Sequence, residues 1–151
     1  MTVILLVGTG HLAWQAWQAR IPYAAESSNP YVYAQTSPDV LNLAAKIEAL
    51  AKVAPPGHEM VVKVIAPDSD YWPLPWYLRR YHRIGWWDSL PADPFASVMI
   101  VSASLHANLD ANKSHLMVQY YALRPRVLLE LYVESGLWGS FLKTQPRAKP
   151  D

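Results

Sequence analysis

The sequence predicts an α/β domain: a small open, mixed sheet, parallel in part, with flanking helices and a C-terminal antiparallel hairpin. Three observations predict it. After Ser37-Pro38-Asp39, apolar residues recur at helical spacing up to Pro55-Pro56-Gly57. Three short apolar runs, 60–66, 83–87 and 97–103, then read as strands set among turns and loops. Two further strand candidates, 115–123 and 126–133, are separated only by the short Arg124-Pro125 gap, which implies an antiparallel return.

Taken in order, residues 2–19 contain no Asp, Glu, Lys or Arg, and Val3-Ile4-Leu5-Leu6-Val7 is strongly apolar. A full membrane span needs about 20 mostly apolar residues, and this run turns polar at Gln15 and Gln18. No Lys or Arg precedes it, and Ala16-Trp17-Gln18-Ala19 puts no small residue at the minus-three position, so a signal peptide does not fit. Residues 1–19 are therefore expected to be the end of a transmembrane helix, with Trp14 and Trp17 at the membrane–water boundary and Arg20 just outside. The alternative is a buried strand or helix of a soluble domain. Residues 20–36, with Pro22, Ser27, Ser28 and Pro30, read as an extended linker.

The domain proper is expected over 37–143. Ser37 suits a helix cap, Pro38 the first turn and Asp39 the positive end of the helix dipole. Val40, Leu41, Ala44, Ile47, Leu50 and Ala51 form the expected core stripe, with Asn42, Lys46, Glu48 and Lys52 outward. A short helix is expected around 75–82, and if it persists Arg80 and Arg83 share a face. Residues 104–114 are polar, with at most one helical turn. Residues 135–142 suggest a terminal helix weakened by two glycines, and 144–151 a tail.

Composition narrows the function. The 151 residues suit one domain, and 52% hydrophobic residues are enough for a core. Charged residues are only 17%, below the usual quarter, so the chain expects apolar company such as a membrane or a partner. A net charge of +1 and the lack of a basic stripe argue against nucleic acid. The absence of cysteine excludes disulfides, thiolate metal sites and cysteine nucleophiles. The 7 Trp and 9 Tyr against 2 Phe favour side chains suited to wet–dry boundaries.

Chemistry concentrates in Asp68-Ser69-Asp70-Tyr71-Trp72-Pro73-Leu74-Pro75-Trp76-Tyr77-Leu78-Arg79, just after a strand, where open α/β sheets bind ligands. Asp68, Asp70, Tyr71, Trp72, Trp76 and Arg79 are the candidate ligand-binding residues. Flat rings stack on sugar faces, carboxylates accept hydroxyl hydrogen bonds, and an arginine grips phosphate. The competing reading makes the acids a solvated turn and the rings part of the core. Arg124 and Arg126 read as a turn with surface charge. His11, His58, His82, His106 and His115 have no zinc spacing, so no metal is expected. Gly8-Thr9-Gly10 resembles part of a dinucleotide fingerprint, but no ribose-binding acid follows in a clear βαβ unit. No cofactor and no catalytic residue are expected in this chain.

Several pieces together carry a resemblance: His11-Leu12-Ala13-Trp14-Gln15-Ala16-Trp17, Asn29-Pro30-Tyr31-Val32-Tyr33-Ala34, Thr36-Ser37-Pro38-Asp39-Val40, Trp72-Pro73-Leu74-Pro75-Trp76-Tyr77-Leu78-Arg79 and Tyr120-Tyr121-Ala122-Leu123-Arg124-Pro125. They resemble the C-terminal end of predicted membrane-bound mannosyltransferases, also described as flippase-activity-associated proteins and similar to the protein O-mannosyltransferase superfamily. The resemblance implies a soluble domain on the extracytoplasmic (periplasmic) face, attached to the membrane portion of a glycosyltransferase. It implies a polyprenyl-phosphate sugar donor and catalytic acids among early membrane helices that have no counterpart here. The expected function is a non-catalytic accessory domain that binds glycan or lipid-phosphate. The rival is a ligand-free docking or homo-oligomerisation domain, and a third reading is a stand-alone small enzyme with a concave pocket.

Overall fold

The computed structural model describes residues 2–23, 36–111 and 113–145. Most of the expected linker and tail lie outside the described residues. Helix α1 spans Thr2–Arg20 and its side chains from Val3 to Trp17 are all exposed. The buried-strand and buried-helix alternatives for this segment are therefore set aside, and Gly8 and Gly10 lie inside a helix rather than after a strand. Trp14 and Trp17, three residues apart, bring their rings to 5.4 Å. Among the described residues no helix is long and apolar enough to cross a membrane.

Helix α2 (Asp39–Val53) opens as its sequence requires. The Ser37 hydroxyl accepts from the Asp39 amide at 3.2 Å, and Asp39 Oδ1 accepts from Asn42 Nδ2 at 2.9 Å. Its buried stripe is Val40, Leu43, Ile47, Leu50 and Ala51. Leu43 thus takes the place expected for Leu41, which is exposed. The helix stops where Pro55 and Pro56 would deny it backbone donors.

Strands β1 (Val62–Ile65), β2 (Ile84–Trp87), β3 (Val98–Ser102), β4 (His115–Arg124) and β5 (Val127–Glu134) form one sheet in the order β2-β1-β3-β5-β4. β1 runs parallel to both β2 and β3, whereas β5 is antiparallel to β3 and β4. The expected open, mixed α/β sheet with a C-terminal hairpin is the observed one. β3 is buried along its whole length, as a central strand with two covered faces must be.

The two faces are covered differently. Val62, Val64, Val98, Ile100, Leu129, Leu131 and Val133 pack beneath α2, α3 (Leu74–Tyr77) and α4 (Ser135–Thr144). Ile65, Met99, Val101 and Tyr132 point the other way and meet Phe95, Leu105 and Leu109 from loops. One face of the sheet therefore carries helices and the other carries loops. Asp39 joins α2 to the edge strand, since its Oδ2 accepts from the Ala122 amide at 2.9 Å.

Candidate functional site

β1 delivers the chain to the carboxyl end of the parallel strands, where Ala66 N donates to Trp87 O at 2.8 Å. A single 3-10 turn (Pro67–Ser69) follows, with Asp68 and Ser69 at φ +54° and +58°. Asp enters this left-handed region more readily than most non-glycine residues; Ser does so less readily. The Trp72–Pro73 peptide is cis. Helix α3 then lasts one turn, with Leu74 and Leu78 wholly buried.

That phase decides which rings face water. Tyr71 packs against the core with its ring 4.8 Å from Trp86. Trp72 and Trp76 lie on the other side, 57% and 63% exposed. Of the predicted aromatic trio, Tyr71 belongs to the core reading and the two tryptophans do not. The Arg79 guanidinium stacks 4.5 Å from the Trp76 ring while Nη1 donates to Trp76 O at 2.7 Å. The ring and the cation thus form one unit.

The two acids part company. Asp68 projects into solvent, with no side-chain hydrogen bond among the described residues. Asp70 accepts from Arg124 Nη2, and Arg124 Nη1 also reaches Trp72 O at 3.3 Å. Asp70 is therefore a strut that fixes the segment to the β4–β5 turn rather than an open acceptor. The acids and aromatics form no group of three or more metal ligands among the described residues. α3 ends at Tyr77, so Arg80 and Arg83 do not share a helix face. Arg124 is the residue the sequence reading underrates; only a bond across 54 positions reveals its role, and no local pattern signals it.

The groups with displaced titration lie elsewhere. Glu48 accepts from His58 Nε2 at 2.9 Å, which holds its carboxyl below the ordinary value against the opposing effect of burial. Burial pushes the Tyr81 phenol well up, reinforced by the neighbouring Glu48 charge. Burial likewise raises Tyr132, whose hydroxyl donates to the buried Glu130 at 2.7 Å. Tyr121 is pushed up to about 12, by burial first and by the Asp39 charge second.

A cleft of about 560 Å³ opens at the opposite, amino end of the parallel strands, lined by residues including Lys63, Phe95, Ser114 and His115. Chain topology thus separates the tryptophan surface from this concavity. Comparison with known protein families, with curated proteins and with solved structures gives no match.

Proposed function

We propose that this chain is an accessory domain of a membrane glycosyltransferase, held at the extracytoplasmic face, and that Trp72, Trp76 and Arg79 form its glycan-binding surface. The observation that carries the reading is the exposure of two tryptophans four residues apart, Trp72 just before α3 and Trp76 within it, while Leu74 and Leu78 between and beyond them are buried. Leaving two indoles in water forgoes burial that is worth about 1.5–3 kcal/mol for a large apolar side chain. A flat sugar face on those rings, with a hydroxyl or phosphate at Arg79, recovers it. The exposed apolar helix α1, with its paired tryptophans and Arg20 toward its end, supports a lipid surface as a neighbour. The resemblance to mannosyltransferase C-terminal regions points to mannose, free or carried on polyprenyl phosphate.

The test is titration of mannose oligosaccharides and polyprenyl-phosphate mannose into the chain and into Trp72→Ala and Trp76→Ala. Each variant is expected to bind at least about tenfold more weakly, equal to about 1.4 kcal/mol, with unchanged far-ultraviolet circular dichroism. Absence of binding by the unaltered chain would remove the reading.

A second reading, a docking or homo-oligomerisation domain, draws on the edge strand. Leu116 on β4 is exposed on the helix-covered face of the sheet, and Tyr120 on β4 and Leu128 on β5 are exposed on the other. Light scattering that shows a stable dimer, broken by Leu116→Lys, would favour it.

A further inference from the structure

We propose that Ser114 is an activated nucleophile in the cleft at the amino end of the parallel strands, with His115 as its general base and a small acyl ester as the class of substrate. The hydrogen bonds assign the roles. His115 Nε2 lies 2.9 Å from the main-chain oxygen of Ala96, and Nδ1 lies 3.0 Å from Ser114 Oγ. A carbonyl oxygen only accepts, so in the neutral ring the proton sits on Nε2 and Nδ1 presents its lone pair to the serine. The hydroxyl therefore donates to a base that a third group orients, which is the arrangement that activates a serine.

The surroundings hold that arrangement still. The His115 ring is 7% exposed and stacks on Phe95 at 5.1 Å. Ser114 is exposed, while its carbonyl accepts from Ser135 N at 2.9 Å. Lys113, immediately before it, sits at φ +59°, and its carbonyl accepts from Ser135 Oγ at 2.9 Å. A non-glycine residue in the left-handed region persists where surrounding bonds hold it, and such sites cluster at functional centres. The cleft is wide open to solvent, so Ser114 lies within reach of a small ester. Lys63 contributes positive charge to it, against Asp93 and Glu134.

The chemistry balances without any redox partner. Ser114 Oγ bonds to the acyl carbon as its proton passes to Nδ1. The bond to the alcohol breaks, and the leaving alkoxide takes that proton. Water then attacks the acyl-serine, again losing a proton to Nδ1, and the carboxylic acid leaves as Ser114 regains its hydrogen. This activity lies at the opposite end of the strands from the tryptophan surface and does not rest on the proposed function.

The experiment treats the full chain with a fluorophosphonate probe, maps adducts by mass spectrometry and follows hydrolysis of p-nitrophenyl acetate. The adduct is expected on Ser114 and absent in Ser114→Ala, with ester turnover lost in parallel. His115→Gln is expected to slow labelling at least about 100-fold. Should His115→Gln not fold, His115→Asn with unchanged circular dichroism takes its place, with the same loss of labelling expected. No adduct on Ser114, equal labelling of the exposed Ser89 and Ser140, or undiminished labelling in a folded His115 variant would each overturn the proposal.

Discussion

Residue by residue, the aromatic segment divides by what each side chain touches. Arg124 does most to hold it, through Asp70 and the Trp72 carbonyl. Arg124→Ala is expected to lower stability by about 1 kcal/mol, the pair being only partly shielded, read as a lower urea midpoint. It should also weaken any ligand of Trp72 by loosening the segment. Glu48 makes the second test. Its carboxyl is held below the ordinary 4.5, first by the His58 hydrogen bond. A depressed folded value means the contribution is present above the ordinary carboxylate range and lost as pH falls through the lower folded value. The unaltered chain should therefore lose more stability than Glu48→Gln on acidification below about pH 4.5, in urea titrations at several pH values. The sequence shows where rings gather but not which of them face water. Tyr71 and Trp72 are equally plausible packing residues as letters, and only the phase of Leu74 and Leu78 separates them.

Among the elements, α3 shows why local pattern falls short. The reading extends a helix to residue 82, yet it ends at Tyr77, where Arg79 occupies the Trp76 carbonyl instead of continuing the ladder. The strands were more legible, because short apolar runs between turns leave little choice: 60–66 becomes Val62–Ile65, and 126–133 becomes Val127–Glu134. The α2 stripe runs through Leu43 and not Leu41 because Leu43, three residues after Val40 and four before Ile47, shares their helical face, whereas Leu41 lies well off it. Two glycines offer a paired test. A Cβ on Gly85 in β2 would stand 2.2 Å from the Trp87 ring, whereas one on Gly139 in α4 meets nothing within 4 Å. Gly85→Ala is expected to lower the Tm by forcing that ring aside. Gly139→Ala is expected to raise stability by about 0.8–1 kcal/mol, the helix propensity difference. Thermal melts of the two variants check both signs.

For the molecule as a whole, α1 stands apart from the core, its side chains from Val3 to Trp17 exposed. Deleting residues 2–20 is expected to leave the Tm nearly unchanged while abolishing co-sedimentation with lipid vesicles. A large fall in Tm would show that α1 is a structural helix after all. The buried phenols bear on the alkaline limit. Tyr121 is raised to about 12, and Tyr81 and Tyr132 are raised as well. A raised folded value means full stability below the ordinary 10 and progressive loss above it, since the unfolded chain ionises first. Phenolate absorbance from these residues should therefore appear together with unfolding on titration above pH 10, not before it. The fold class was readable because helical spacing, strand runs and a tight hairpin all point one way. The cleft at the amino end of the parallel strands was not, since it joins residues from β1, the loop before β3, β4 and β5. The place of β5 between β3 and β4 carries a consequence for synthesis on the ribosome. Until residues 127–134 emerge and pair, 98–102 keep one naked rim, so a released chain truncated after residue 126 is expected to aggregate.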